Sequence, residues 1–137
     1  MQKLLPLFPD KFLRGMNYLY IFGTILFTVY GQIMLKWRIN KIGFSLENGG
    51  LVDKALTILK FIFDPFILSG FVAAFVASMF WMVAMTKFEI THAYPFMSLS
   101  PAIVFLLGVF FLNETFTIGK VIGLAIIIVG TIVTVKF

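Results

Sequence analysis

Long uncharged runs separated by short polar ones set the rhythm of this chain. They cover residues 16–35, 65–86, 90–113 and 115–135, the last broken only by Lys120. A helix rising about 1.5 Å per residue needs about 20 apolar residues to cross about 30 Å of hydrocarbon. The spacing therefore predicts four membrane-spanning helices, over about 17–36, 65–87, 92–113 and 117–136.

Between the first two spans the pattern changes. Asp53, Thr57, Lys60 and Asp64 fall at i, i+4, i+7 and i+11, while Leu51, Val52, Ala55, Leu56, Ile58, Leu59, Ile62 and Phe63 fill the other positions. This predicts an amphipathic helix over about 51–63, lying in the membrane interface until Pro65 turns the chain inward. The alternative is that the segment simply extends the second span. Ahead of the first span, residues 1–15 carry Pro6 and Pro9 and end in charge, without the apolar length or cleavage site of a signal peptide. They read as an interfacial arm dipping Leu4, Leu5, Leu7, Phe8, Phe12 and Leu13 into lipid. The expected organisation is an all-α integral membrane protein: an arm at 1–15, then a single four-helix domain at 16–137 with an amphipathic loop at 37–64.

Finer patterns lie inside the spans. Gly70, Ala74, Ala77 and Ser78 share one face of the second, where small side chains let helices approach closely. In the third, Pro95 suits a first turn, while Pro101 leaves the Met97 carbonyl without its helical donor and predicts a kink. In the fourth, Gly123, Ile127 and Gly130 form a face suited to another helix, an expected dimer interface.

Composition agrees. Of 137 residues, 61% are hydrophobic and 12% charged, with mean hydropathy +1.04. Globular domains carry about 25% charged residues, so a soluble protein with a large core is excluded. The lack of cysteine removes disulfides and thiolate metal sites. The net charge of +5 is divided almost evenly: Lys3, Lys11, Arg14, Lys87 and Lys136 fall on one side of the membrane, and Lys36, Arg38, Lys41, Lys54, Lys60 and Lys120 on the other. The positive-inside rule then has little bias to act on, which permits both orientations and an antiparallel dimer.

Candidate chemistry concentrates in the segment TVYGQIMLK, residues 28–36. Thr24, Thr28, Gly31 and Gln32 line one side of the first span, and Lys36 continues it one turn on. Gln32 must face protein or a water-filled cavity, since lipid offers its amide no partner. It could serve there as an interhelical hydrogen bond or as a substrate contact; the threonines could also bond their own helix. His92, Tyr94, Ser98 and Ser100 add an imidazole and hydroxyls near the disturbed backbone. His92 and Tyr94 also suit purely interfacial roles. Asp64, Glu89 and Glu114 all sit at span ends, so no span carries the buried carboxylate that proton-coupled carriers need. No metal-ligand spacing, nucleophile–base pair or phosphate loop is present, so neither an enzyme nor a cofactor is expected.

The blocks ILFTVYGQIMLK, ITHAYPFMSLSPAIVF and LNETFTIGKVIGLAIIIVGTIVT resemble the drug/metabolite transporter superfamily in its four-helix, small multidrug resistance-like (EamA-like) form. The branch that exports cationic drugs carries a glutamate in its first helix, where this chain has Thr28. The branch that flips 4-amino-4-deoxyarabinose-phosphoundecaprenol is similar at Gly31-Gln32 and at Ala93-Tyr94-Pro95 with Ser98-Leu99. The resemblance implies a multi-pass protein of the bacterial inner membrane that moves a polyprenyl-phosphate-linked sugar by alternating access, as a homodimer or beside a similar small subunit. It implies a headgroup path along Thr24, Thr28, Gln32, Tyr94 and Ser98, with Lys36, Arg38 and Lys41 capturing the phosphate. A small-molecule exporter and a non-transporting scaffold for an envelope-assembly enzyme are the competing expectations.

Overall fold

A computed structural model describes residues 10–43 and 49–137. Among these residues six helices follow one another: α1 (Asp10–Ile42), α2 (Leu51–Ile62), α3 (Pro65–Lys87), α4 (Ile90–Met97), α5 (Leu99–Phe111) and α6 (Ile118–Lys136). Four spans are long and apolar enough to cross a bilayer, α4 and α5 together forming the third. Most of the expected N-terminal arm, residues 1–9, lies outside the described residues, and from Asp10 the chain is already helical. At 33 residues α1 is about 50 Å long, well beyond the hydrocarbon thickness. It was expected to be shorter because its two ends are polar, and polarity does not stop a helix that water can solvate.

The core is small and gathers on α1. Ile21, Ile25 and Val29 point the same way at i+4 spacing and pack against Ala84 of α3 and Ala93 of α4, both fully buried. Alanine there lets three helices converge. Lower down, α1 and α3 approach backbone to backbone: a Cβ on Gly31 would lie 2.9 Å from the Gly70 carbonyl oxygen. Of the small-residue face expected on α3, Gly70 and Ala77 are buried, whereas Ala74 and Ser78 remain exposed.

The start of α3 is fixed by local chemistry. Asp64 is its N-cap and accepts hydrogen bonds from the Phe66 and Ile67 amides, with Pro65 in the first turn. The same carboxylate receives a two-pronged bond from Arg38 at the end of α1, Nε to Oδ1 at 3.0 Å and Nη2 to Oδ2 at 2.9 Å. The guanidinium also lies 4.8 Å over the Phe66 ring. These bonds, the Arg38 contact foremost, hold the Asp64 carboxyl below the usual carboxylate range.

Upstream of this cap, α2 is a helix of its own rather than an extension of α3, separated from it by Phe63 and Asp64. No residue of α2 is buried; Ile58, Phe61 and Ile62 border a gap of about 220 Å³ over Leu35, Ile39, Ile67 and Phe71. The third span breaks near Pro101 as expected, whereas Pro95, expected in a first turn, falls inside α4 because the helix already starts at Ile90. Ser98 separates α4 from α5, and its amide bonds back to Pro95 in a tighter turn.

At the far end, α5 closes through a left-handed Asn113 (φ 52°), with the amides of Leu112 and Glu114 both donating to the Gly108 carbonyl. Then α6 returns along α4 and α5. It contains no buried residue, and Gly119, Gly123 and Gly130 have open space around them.

Candidate functional site

The polar stripe of α1 faces two cavities that meet. One, of about 500 Å³, lies between Thr24, Thr28 and Gln32 of α1 and Gly70, Ala74 and Ser78 of α3. The other, of about 860 Å³, lies between Thr28 and Gln32, the α4–α5 break, and the inner face of α6 from Lys120 to Thr134. Both include Thr28, Gln32, Tyr94 and Met97, which form the waist of one trough. From Lys120 to Thr134 it follows α6 for about 21 Å, most of the thickness of the hydrocarbon.

Three of the four side chains at the waist are polar and unpaired. Among the described residues, Thr28, Gln32 and Tyr94 have no hydrogen-bond partner for their side chains, although Tyr94 stacks edge-on to Trp81 with ring centroids 6.1 Å apart. Gln32 therefore does not bridge two helices within the chain. Ser100 is the most informative: it is 7% exposed, lines the larger cavity, and its Oγ has no partner. A buried hydroxyl left unpaired in an apolar setting costs free energy unless something in the trough completes it. Sequence reasoning noticed Ser100 only as a nearby hydroxyl. Its position one residue before Pro101, beside a helix break, is the signal that could have raised it.

Other expected residues are already engaged. Thr24 is buried and donates to the Tyr20 carbonyl of its own helix at 2.8 Å. Ser98 bonds the Pro95 carbonyl and the Thr131 hydroxyl, tying the break to α6. Gly123, Ile127 and Gly130 share a side of α6; Ile127 and Gly130 line the trough. Of the expected basic cluster, Lys36 is exposed, Arg38 is committed to Asp64, and Lys41 lies 4.8 Å over the Trp37 ring. None of the three lines the trough. The charges that do are Glu114, which the sequence placed only at a span end, and Lys120, which it counted only among the basic residues of one side. His92 lies outside it, its Nε2 3.0 Å from the Tyr18 hydroxyl and its ring among Tyr18, Phe88 and Phe96.

Comparison with known proteins adds a family. The sequence profile of the EamA-like transporter family matches residues 11–136. A probable 4-amino-4-deoxy-L-arabinose-phosphoundecaprenol flippase subunit ArnF from Pseudomonas fluorescens is 25% identical over 127 residues, 87% of each chain. Its counterpart in an Enterobacter species is 29% identical, over 84% of this chain and 91% of that one. The counterpart in Pseudomonas savastanoi is 32% identical over 74% of each. No solved structure matches the chain.

Proposed function

The chain belongs to the EamA-like transporter family, and on that premise we propose that it flips a polyprenyl-phosphate-linked sugar across the bacterial inner membrane. It is a multi-pass membrane transporter, not an enzyme. The observation that carries the proposal is the trough, whose unpaired Thr28, Gln32, Tyr94 and Ser100 are all neutral hydrogen-bonding groups. A polyprenyl lipid already has its tail in the bilayer, so only the phosphate-sugar headgroup needs a polar path. Bringing a charged group to the bilayer centre costs from about 3 to more than 10 kcal/mol. Four hydrogen bonds to a charged group, at about 1.5–3 kcal/mol each, are of the same order. A proton-coupled carboxylate is not required for this balance, and Thr28 occupies the place where a cation exporter would need one.

In this mechanism Lys36 and Lys41 attract the phosphate at the surface near α2, and Lys120 receives it at the trough mouth. Arg38 keeps α1 and α3 joined. The headgroup then moves past Gln32, Thr28 and Tyr94, with Thr24 and Ser98 shaping the wall, while the tail stays in lipid. The working form is a dimer, antiparallel or with a similar small subunit; the even distribution of positive charge and the absence of any buried residue on α6 support this.

Native mass spectrometry of gently purified protein is the test. Retention of a polyprenyl-phosphate lipid, with flipping of 4-amino-4-deoxyarabinose-phosphoundecaprenol in proteoliposomes, is expected. A preparation without lipid that binds aromatic cations overturns the proposal in favour of small-molecule export. One with neither that co-purifies with a glycosyltransferase assigns a scaffolding role instead.

A further inference from the structure

Glu114 is placed against the ordinary rule for helix ends. The carbonyl end of a helix carries partial negative charge and favours cations, not carboxylates. Yet the Glu114 side chain folds back over the last turn of α5, so closely that a Cβ on Gly108 would come 2.9 Å from its Oε2. The missing side chain at Gly108 is what makes room for it. No ion pair compensates the carboxylate among the described residues. Lys120 is near, but its Nζ donates to the Thr115 carbonyl oxygen at 3.1 Å and approaches the Thr115 hydroxyl at 3.5 Å. Both charged groups line the larger cavity, and the unpaired hydroxyl of buried Ser100 lines it too.

An acid and a base kept apart at one mouth, above an unsatisfied hydroxyl, match a ligand that brings its own cation and anion. We propose that Glu114 and Lys120 select a zwitterionic aminosugar-phosphate headgroup, Glu114 accepting from its ammonium and Lys120 donating to its phosphate. Ser100 lies about 12 Å deeper along α5 and meets the headgroup only as it moves inward. Gly108 is a positioning residue, holding the space that aims the carboxylate. This rests on the flippase reading and adds to it the residues that discriminate between headgroups.

The test is binding to the full chain in nanodiscs of two probes, 4-amino-4-deoxyarabinose-phosphoundecaprenol and its amine-free analogue arabinose-phosphoundecaprenol, which keeps the phosphate and lacks the ammonium. A charge-assisted hydrogen bond predicts a wild-type preference of about tenfold or more for the amino lipid. Glu114→Gln is expected to abolish that preference by weakening the amino lipid alone. Lys120→Gln is expected to weaken both probes by a similar factor and keep the preference. Gly108→Ala leaves every charge in place, since the added methyl meets only the end of a flexible side chain, and is expected to reduce the preference by displacing the carboxylate. It also serves if Glu114→Gln does not fold. A preference unchanged in the folded Glu114→Gln protein overturns the assignment. Equal wild-type binding of both probes overturns the selectivity and leaves the flippase reading standing; binding of neither overturns both.

Discussion

Gln32→Leu separates a transport role from a packing role more cleanly than any other substitution in the trough. The side chain lies on the wall common to both cavities and has no hydrogen-bond partner within the described chain. Leucine occupies nearly the same volume and removes two donors and an acceptor. If Gln32 were interhelical glue, its loss would cost about 0.6 kcal/mol of stability and leave transport alone. With no partner to lose, the folded protein is expected to hold its stability or gain slightly. Transport should respond differently. One hydrogen bond to a charged headgroup is worth about 1.5–3 kcal/mol, so its loss slows flipping roughly 10- to 150-fold. Flipping can be measured in proteoliposomes loaded with 4-amino-4-deoxyarabinose-phosphoundecaprenol, as the rate at which its amine becomes reactive to a membrane-impermeant reagent. Unfolding in mixed micelles supplies the stability, and cross-linking the oligomeric state. A flipping rate within about twofold of wild type, accompanied by a fall in stability, would refute the reasoning and return Gln32 to a structural role.

Three further outcomes follow from the packing and the charges. Gly31→Ala drives a methyl against the Gly70 backbone and is expected to cost about 1–3 kcal/mol, whereas Gly23→Ala meets only the movable Phe80 ring and should cost less; unfolding curves of both decide it. Arg38→Met removes the main influence on Asp64, so its carboxyl should titrate closer to the ordinary value by NMR. Because the folded value is the lower one, the clasp stabilises above the unfolded pKa and is lost as pH falls through the folded pKa; the wild-type advantage over Arg38→Met should vanish at the acid end. Since the chain has no cysteine, single cysteines at Gly130 and at Ile126 can be oxidised without background. Cross-linking at Gly130 in preference to Ile126 would place the small-residue face of α6 at the dimer contact, and the reverse pattern would place it elsewhere.

Period and length made the spans legible. The second was expected over 65–87 and is Pro65–Lys87, because a proline preceded by aspartate is a strong start signal and lysine with a following break is a strong stop. The break at Ser98 was foreseeable from Pro101, whose missing amide is a local fact. The first helix was underestimated because hydropathy marks where the bilayer is, not where hydrogen bonding along the backbone ends. The stripe of Thr24, Thr28 and Gln32 was legible for the same reason as the spans, since four-residue spacing puts side chains on one face. Distant pairing was not. Nothing in either local pattern says that Arg38 will close on Asp64, 26 residues away, and so leave the expected phosphate-binding cluster. Nor does a charge at a span end announce that Glu114 and Lys120 will turn toward the trough; that depends on the left-handed turn at Asn113 and the gap at Gly108.

The sixth helix connects these observations. Its Lys120, Ile127, Gly130, Thr131 and Thr134 all line the trough, and at helical spacing Gly123 falls on the same side as Ile127 and Gly130. The expected dimer face and the expected substrate wall are therefore one surface. The outer side, with Ile118, Ile122, Ile126, Val129 and Val133 exposed, is uniformly apolar and suits lipid. A second copy can reach Gly123 and Gly130 only by entering the space that the headgroup would use. Under the proposed dimer, assembly on this face would close the open side of the trough and leave Thr28, Tyr94 and Ser100 to the headgroup. A substitution such as Gly130→Leu should accordingly impair association and lipid binding together. Loss of association with lipid binding intact would mean that the trough of one chain suffices and that the partner packs on the apolar side.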